Sequence, residues 1–291
     1  MTQPIKLIVV DLDGTLLNSQ NEMSARNEKA LVDAITKGAA VILATGKTFI
    51  SAKAIVERLK LTTPGIYLQG LAVYKPDGTA VFQKALDPGI SRQVVTFAED
   101  RGFSMVAYSG ARLLAKTLTP EVEQLATKYH EPMPEAIGPL QNILDDMPVN
   151  KLLAIKAGDP KRVLALRWQL DKQLDGGGQL TQALPDMLEV LPPGVSKGAT
   201  LAALLKQLSL QAENVLAIGD AENDLGMIEL AGVGVAMGNA HAKLKAAANH
   251  IVADNDHDGV AEAIERFVLG ATETKPAAEE TPATDANKPT K

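Results

Sequence analysis

The chain of 291 residues contains no cysteine. It can therefore form no disulfide, and no thiolate can act as its nucleophile or metal ligand. The lack of cysteine fits a reducing compartment, and we expect the protein in the cytoplasm. Long apolar runs are missing as well. The apolar run nearest the start, Ile5–Val10, is short and contains Lys6, whereas a membrane span needs about 20 apolar residues. We expect neither a signal peptide nor a membrane partner.

An excess of positive charge is the third feature that the sequence lacks. Lys and Arg number 29 against 35 Asp and Glu, which gives a formal net charge of −6 and a pI of about 5.3. We therefore expect no nucleic-acid partner, because no broad basic field attracts one. By contrast, 46% of the residues are hydrophobic and 22% are charged, which is typical of globular proteins with a substantial core. At roughly 150 residues per domain, the length predicts two domains.

Apolar segments of strand length alternate with segments of helical period, and this predicts an α/β fold. Between the first two strand-like runs lies an amphipathic segment with Ser24 as a suitable N-cap and Gly38 as a suitable stop. Strands separated by helices pair in parallel, so we expect a Rossmann-like, doubly wound parallel sheet. The predicted strands of this sheet are Ile5–Val10, Ala40–Ala44, Gly65–Leu68, Val215–Ile218 and Val233–Ala236.

The middle of the chain has a different character. Between Asp77 and Leu191 helical patterns alternate with strands, and "DGTAVF" and "DGGGQL" are turn-like openings suited to hairpins. We interpret residues 77–191 (the insert) as a smaller α+β cap domain placed within the first, so that residues 1–76 and 192–270 form one core. Residues 271–291 lack large apolar side chains and are rich in Ala, Thr, Pro, Glu and Lys. We expect this tail to be disordered.

Polar clusters follow three of the predicted strands. Asp11 and Asp13 follow the first strand, Thr45–Gly46 the second, and "GDAEND" (Gly219–Asp224) follows Val215–Ile218. Since the carboxyl ends of parallel strands share one edge of the sheet, we expect these clusters to meet in one crevice. Converging carboxylates repel each other and need a cation. With oxygen ligands and no His or Cys nearby, a hard ion such as Mg²⁺ is the natural choice.

Mg²⁺ binds few protein ligands and readily accepts a phosphate oxygen. Around its expected position lie the Thr45 hydroxyl, the Gly46 amide and the Lys197 ammonium. This assortment suits phosphoryl transfer, in which positioning and charge neutralisation provide most of the catalysis.

Four motifs carry a family resemblance: "DLDGTLL", "LATGK", "GVSKGATL" and "GDAENDLGMI". Together, and in this order, they resemble the haloacid dehalogenase (HAD) superfamily of phosphatases, and more narrowly its Cof-type sugar-phosphatase branch with an inserted cap. The resemblance covers roughly residues 5–269. It implies a phosphoric monoester hydrolase that uses Mg²⁺ and forms an aspartyl-phosphate intermediate.

The resemblance also implies a role for each motif residue. Asp11 is the implied nucleophile, and Asp13 is the implied acid that protonates the leaving oxygen and the base that activates water. The implied metal ligands are Asp11 and Asp220 by carboxylate, Asp13 by its backbone carbonyl, and Asp224 through water. The implied phosphoryl-binding groups are Thr45, the Gly46 amide, Lys197 and Asn223. We also expect Gly14 to allow a sharp turn and Thr15 to cap the local backbone.

Two positions depart from the pattern of the resembling family. Lys47 stands where relatives often have Arg, and Gln69 stands where many have Asn. Both positions bear on specificity more than on chemistry. The expected substrate is a small phosphorylated metabolite, a sugar phosphate by resemblance. The sequence fixes neither the particular metabolite nor the role of the tail, and it leaves the oligomeric state open, with a monomer compatible.

Alternative interpretations remain at this point. A phosphomutase can use the same scaffold. "GVSKG" (Gly194–Gly198) matches the elbow of Ser-dependent hydrolases, although Pro192 and Pro193 interrupt the strand that should lead into Ser196. "DNDHDGVAEAIE" (Asp254–Glu265) fits an EF-hand loop, but the segment before it reads as a strand. A calcium- or phosphometabolite-binding module without turnover is the non-enzyme alternative.

Overall fold

The computed structural model describes residues 4–182 and 184–270. The predicted tail, residues 271–291, lies outside the described residues. The strands are β1 (Leu7–Val10), β2 (Ala40–Leu43), β3 (Gly65–Tyr67), β4 (Ala72–Tyr74), β5 (Ala80–Gln83), β6 (Ser104–Ser109), β7 (Arg112–Ala115), β8 (Glu135–Ala136), β9 (Lys151–Ile155), β10 (Gln179–Thr181), β11 (Met187–Leu191), β12 (Val215–Gly219), β13 (Val233–Ala236) and β14 (His250–Ile251). The α-helices are α1 (Ala25–Thr36), α2 (Phe49–Arg58), α3 (Pro88–Glu99), α4 (Pro120–Thr127), α5 (Pro160–Leu174), α6 (Lys197–Gln207), α7 (Leu225–Leu230), α8 (Ala242–Ala247) and α9 (Gly259–Ile264).

A parallel sheet forms the centre of the protein, with the strand order β14-β13-β12-β1-β2. The side chains of β1 are fully buried, as expected for a central parallel strand that is covered on both faces. β3 follows next to β2 through a parallel bridge between Ala44 and Ile66. The strand order reverses at β1, and ligands of doubly wound sheets bind at such a switch point. The predicted fold class is confirmed.

A second sheet lies within the insert, in the order β10-β11-β9-β6-β7-β8. Its strands pair antiparallel except for the parallel pair β7 and β8. One face packs on α3 and α5 and forms a separate apolar core that includes Val94, Val163 and Leu170. The other face contributes Tyr108 and Leu153, among others, to the main core. The insert is therefore an α+β layer that packs against the parallel-sheet layer.

A small antiparallel sheet of β3, β4 and β5 connects the two layers. The predicted start of the insert, Asp77, lies in the turn between β4 and β5, where Lys75 N donates to Thr79 O at 2.9 Å. β5 thus pairs with strands that precede the predicted boundary. The division into a core of 1–76 and 192–270 and an insert of 77–191 stays a prediction.

Several helices begin directly after a polar residue whose side chain caps the first turn. The Ser24 side chain accepts a hydrogen bond from Asn27 N and caps α1, as predicted. Asp87, Thr119 and Asp159 cap α3, α4 and α5 in the same way, and in each of these helices Pro occupies the first turn. Proline suits this position because its missing N–H would have no partner there.

Candidate active site

The carboxyl ends of β2, β1 and β12 lie at the same level of the parallel sheet. Asp11 N donates to Ile218 O at 3.1 Å, and Ala44 N donates to Val10 O at 3.0 Å. The residues that follow these strands therefore emerge at one edge. This register brings together the three polar clusters that the sequence places after separate strands.

Three carboxylates form an acidic cluster at this edge. Asp11, Asp220 and Asp224 each offer one oxygen, and these oxygens lie within 4.8 Å of one another. The ammonium of Lys197 lies 2.6 Å from Asp11 Oδ1 and 2.7 Å from Asp224 Oδ1. When all four groups are ionised, three negative charges face one positive charge. The cluster therefore retains two negative charges in a largely buried place.

The pKa values of the cluster reflect this imbalance. Burial raises the pKa of Asp11 well above its usual range, and Asp224 and Asp220 raise it further against the opposing effect of Lys197. Burial and the charge of Asp224 raise the pKa of Asp220 to about 6. Burial alone would lower the pKa of Lys197, but Asp11 and Asp224 outweigh it, so its pKa is raised. The lysine is therefore ionised, and further positive charge nearby would favour the ionised forms of Asp11 and Asp220.

The loop after β12 is fixed by its own carboxylate. Asp224 Oδ2 accepts hydrogen bonds from Asp220 N and Ala221 N, each at 3.0 Å. The Thr15 hydroxyl donates to Asp220 Oδ1 at 2.9 Å. The expectation that Thr15 caps the local backbone is therefore wrong. Its hydroxyl instead binds Asp220. The fold brings this residue close from 205 positions away, so the local sequence gives no sign of the contact.

Gly14 has the predicted backbone conformation, with a φ of +77°. A Cβ atom at this position would lie 2.5 Å from Asp220 Oδ2. The residue thus combines a left-handed turn with a close approach to the acidic cluster, and only glycine accommodates both.

The Asp13 carboxylate is held apart from this acidic cluster. Its Oδ1 lies 3.1 Å from Lys47 Nζ, and about half of its side chain is exposed. Lys47 itself is buried and also donates to Tyr129 O in the insert, at 2.6 Å. The two aspartates of "DLDGTLL" therefore have different surroundings: Asp11 is buried beside Lys197, and Asp13 is half-exposed beside Lys47.

The predicted phosphoryl-binding residues lie around the same edge. Thr45 is buried, and its Oγ1 accepts a hydrogen bond from Lys47 N at 3.1 Å. Asn223 Nδ2 donates to Gln69 Oε1 at 2.7 Å, while Asn223 Oδ1 is buried without a partner among the described residues. A Cβ atom on Gly46 would lie 2.6 Å from Gln69 Nε2. Gln69 thus contacts two of the predicted groups from the adjacent loop.

Two residues of the insert complete this network, and the sequence patterns did not identify them. Glu189 Oε2 accepts a hydrogen bond from Gln69 Nε2 at 3.2 Å, and Glu189 Oε1 pairs with Lys151 Nζ at 2.5 Å. Lys151 also reaches Gly46 O at 3.4 Å. Both side chains are buried. The available signal was one charged residue at the start of "KLLAI" and another in the middle of "MLEVL", two otherwise apolar strands.

A cavity of about 430 Å³ lies between the two layers at this edge. Lys197, Asn223 and Gln69 line it from the side of the parallel sheet. From the insert, Arg167 and the strand that begins at Gln179 line the opposite side. The volume is in the range of small-molecule sites, roughly 300–1,000 Å³.

The alternative motifs have other structural roles. Ser196 caps α6 by accepting a hydrogen bond from Ala199 N at 3.1 Å, and β11 already ends at Leu191. No strand therefore leads into Ser196, as a nucleophile elbow requires. Both carboxylate oxygens of Glu265, the last position of the EF-hand-like segment, accept hydrogen bonds from Arg26. Asp258 directly precedes α9, but its side chain accepts a hydrogen bond from Ser24 and does not cap the helix.

The donor set of the acidic cluster fits Mg²⁺. Its ligating atoms are carboxylate oxygens, which hard divalent ions prefer. The two uncompensated charges match a divalent cation, and bound positive charge would relieve the raised pKa values of Asp11 and Asp220. Within residues 4–182 and 184–270, this cluster is the one place where three or more carboxylate, His or Cys side chains lie close enough together to hold an ion.

The doubly wound sheet, the acidic cluster at its switch point and the α+β layer over it define an α/β enzyme with a cation-compatible site. Over residues 8–264 the chain matches the haloacid dehalogenase-like hydrolases, and it belongs to that family. The predicted membership of the Cof-type branch of the HAD superfamily is confirmed. The prediction of a phosphoric monoester hydrolase is confirmed at the level of enzyme class.

Three known proteins illustrate the likeness. A crystal structure of a haloacid dehalogenase-like hydrolase from Bacteroides thetaiotaomicron has a TM-score of 0.81 and 33% identity, covering 90% of this chain and 99% of that chain. The 5-amino-6-(5-phospho-D-ribitylamino)uracil phosphatase YcsE of Bacillus subtilis is 31% identical over 265 residues, 91% of this chain and 96% of that protein. The chloroplastic endoribonuclease YBEY of Arabidopsis thaliana is 36% identical over 272 residues, which cover 90% of this chain but 46% of the plant protein. The chain thus spans less than half the length of the plant protein.

Among the described residues, no helix combines the length and apolar character that crossing a membrane requires.

Proposed function

We propose that the protein is a Mg²⁺-dependent phosphatase that hydrolyses small phosphorylated metabolites through an aspartyl-phosphate intermediate. The observation that carries the proposal is the cluster of Asp11, Asp220 and Asp224 around Lys197 at the switch point of the sheet. A phosphomonoester brings negative charge to a site, so a site that receives one needs fixed positive charge. Lys197 and a divalent cation would provide it.

Asp11 is the proposed nucleophile. One of its oxygens attacks phosphorus as the bond to the leaving oxygen breaks, which leaves the phosphoryl group on the aspartate. The contact between Asp11 Oδ1 and Lys197 fixes the direction of the carboxylate. Asp11 is buried at the end of β1, so little freedom is lost when it reacts.

Asp13 is the proposed acid and base. Its carboxylate is about half exposed, so a leaving alcohol and a water molecule can reach it. It protonates the leaving oxygen in the first step and accepts a proton from the attacking water in the second.

The proposed metal ligands are Asp11 and Asp220 by carboxylate, Asp13 through its backbone carbonyl, and Asp224 through water. Bound Mg²⁺ supplies charge stabilisation for the phosphoryl oxygens and keeps the buried carboxylates ionised. The hydrogen bonds that Asp224 makes to Lys197 and to the loop amides orient the site around this position.

Thr45, the Gly46 amide, Lys197 and Asn223 are the proposed phosphoryl-binding groups. Asn223 Oδ1 is buried without a partner among the described residues. It is an acceptor, so a hydroxyl of the substrate can satisfy it, whereas a phosphoryl oxygen needs the Nδ2 donor that contacts Gln69.

A sugar phosphate is the proposed substrate class. Hydroxyl-rich leaving groups suit a cavity with polar residues on both sides, including Gln69 and Asn223 below and Arg167 above. The relative YcsE from B. subtilis is named for a substrate with a phosphorylated ribityl chain, which is also a polyol phosphate. We expect the insert to select the leaving group, because it provides the outer wall of the cavity.

The test is phosphate release from a panel of sugar, polyol and nucleoside monophosphates, each measured with Mg²⁺ and with excess EDTA. Mg²⁺-dependent release from members of the panel supports the proposal. Transfer of phosphate to another position of the sugar without release would identify a phosphomutase. Release that persists in EDTA would contradict the metal assignment, and no turnover of any member would contradict the function.

A further inference from the structure

Lys47 is the one residue of the second motif whose side chain joins both layers of the protein. Its Nζ lies 3.1 Å from Asp13 Oδ1 and donates to Tyr129 O at 2.6 Å. Asp13 belongs to the loop after β1, whereas Tyr129 belongs to the insert. Lys47 is 8% exposed in its side chain, compared with 53% for Asp13. A buried ammonium therefore fixes one oxygen of a carboxylate that is otherwise half exposed to solvent.

Glu131, two residues after Tyr129, ties the same segment of the insert to α2. Glu131 Oε2 accepts hydrogen bonds from Thr48 Oγ1 at 2.9 Å and from Ser51 Oγ at 2.5 Å. These residues form the first turn of α2, where the helix dipole also favours a carboxylate. Glu131 thus anchors the segment that presents the Tyr129 carbonyl to Lys47.

We propose that Lys47 is a positioning residue for Asp13, and that docking of the Tyr129–Glu131 segment keeps it in place. A lysine side chain has many rotamers, and a single contact with a half-exposed carboxylate would hold it poorly. The Tyr129 carbonyl removes that freedom. Lys47 then orients the Asp13 carboxylate only when the Tyr129–Glu131 segment is docked. Docking of the insert and placement of the acid therefore occur together.

This inference rests on the proposed function, in which Asp13 donates its proton as Asp11 attacks. In that step an Asp11 oxygen bonds to phosphorus, and the P–O bond to the leaving oxygen breaks with its electron pair. The proton moves from the Asp13 carboxyl to that oxygen. A leaving group whose alcohol is much more acidic than a sugar hydroxyl, such as p-nitrophenol, departs as the anion without this proton, whereas the oxygen of a sugar needs it.

The difference between these leaving groups gives the test. We compare kcat/KM of wild type, Lys47→Met and Lys47→Arg for the sugar phosphate that wild type hydrolyses best and for p-nitrophenyl phosphate. kcat/KM reports the steps up to departure of the leaving group, so it isolates the acid role of Asp13. Lys47→Met should lose roughly 10- to 100-fold on the sugar phosphate, within the range for general acid catalysis, and clearly less on p-nitrophenyl phosphate. Lys47→Arg, which keeps a cation with several donors, should recover most of that loss.

A second variant tests the docking contact and remains informative if Lys47→Met folds poorly. Glu131→Gln lies outside the proposed catalytic groups and removes the charge that anchors the segment. It should show the same selective loss on the sugar phosphate, to a smaller degree. In the Lys47→Met background it should add little, because the two changes act on one contact.

Equal losses on both substrates for Lys47→Met would overturn the inference, since they would indicate a general structural role. Unchanged activity of Glu131→Gln would overturn the dependence on docking. Failure of the inference differs from failure of the proposed function. In the first case wild type still requires Asp13 and Mg²⁺, and in the second wild type hydrolyses no member of the panel.

Discussion

Lys197 Nζ lies 2.6 Å from Asp11 Oδ1, and the two buried side chains come from positions 186 residues apart. The same ammonium contacts Asp224 at 2.7 Å. It is the positive charge that lies within the acidic cluster before a cation binds, so the stability of the metal-free protein depends on it.

Replacing Lys197 by Met should destabilise the metal-free protein by about 3–5 kcal/mol, because it leaves buried carboxylates without their partner. Mg²⁺ should restore part of this loss. Chemical unfolding in EDTA and in Mg²⁺ measures both effects. Lys243→Met is the control, since Lys243 pairs with Glu222 on the surface, where both side chains are more than half exposed. It should change stability by no more than about 0.5 kcal/mol. A similarly small loss of stability for Lys197→Met would contradict the role of Lys197 as the stabilising charge of the acidic cluster.

Asp11→Asn should reduce turnover by several orders of magnitude while the protein stays folded, because an amide does not attack phosphorus. Steady-state phosphate release and circular dichroism measure the two properties. Asp171→Asn, which makes the same change at an exposed position of α5, should behave as wild type. If Asp11→Asn kept more than about a tenth of the wild-type rate, Asp11 would not be the nucleophile.

Chelation should abolish activity, and added Mg²⁺ should restore it. Ca²⁺ should substitute poorly, because it prefers more ligands at longer distances and would shift the carboxylates around it. Titration of EDTA-treated enzyme with each ion, followed by phosphate release, decides between these outcomes. Equal recovery with Ca²⁺ would argue against a site selective for Mg²⁺.

The response to pH follows from Asp220, whose pKa burial and Asp224 raise from 3.8 to about 6. The folded metal-free protein holds this proton more tightly than the unfolded chain does. Its contribution to stability is therefore full at low pH and is lost as pH rises through this interval. Mg²⁺ binding has the opposite dependence, because a proton on Asp220 competes with the ion. The rise in melting temperature caused by Mg²⁺ should be larger at pH 7.5 than at pH 5. Asp220→Asn should reduce that difference without abolishing it, because the pKa of Asp11 is raised as well.

Gly14→Ala separates backbone strain from crowding of the metal site. Gly14 and Gly138 have nearly equal φ values, +77° and +76°. A Cβ atom added at Gly14 would lie 2.5 Å from Asp220 Oδ2, whereas one added at Gly138 would have no neighbour within 4 Å. Both substitutions should lose about 1–2 kcal/mol of stability through the left-handed backbone. Only Gly14→Ala should weaken Mg²⁺ binding and turnover, as measured by calorimetry and phosphate release. Equal loss of activity in both variants would show that the close approach to Asp220 has no functional weight.

The parallel sheet was predictable because its strands are apolar throughout and bounded by polar turns. β1, β2, β12 and β13 lie within one to two residues of the predicted runs. One end of the insert sheet, formed by β7 and β8, was not predicted in the same way. β8 escaped prediction because Glu135–Ala136 is too short to show a period. β7 (Arg112–Ala115) is as long as β1, but its pairing depends on tertiary context.

The convergence of Asp11 and Asp220 followed from the rule that parallel strands end at a common edge. No comparable rule predicts the contacts between the insert and the parallel-sheet layer. Lys151, Glu189 and Tyr129 reach the site because of how the insert packs, and periodicity carries no information about that packing. Lys47 and Gln69 were noticed as departures, but their partners came only from the structure.

The pairing of β1 with β12 joins Leu7 to Val215, and this register has a consequence for synthesis on the ribosome. At about 5–20 residues per second, some 10–40 s pass between translation of the two strands. The insert can complete its own apolar core within that interval, while the apolar strand β1 has β2 on one side and an unpaired edge on the other. We expect newly made chains to need protection of that edge, by a chaperone or by low concentration, until β12 leaves the ribosome.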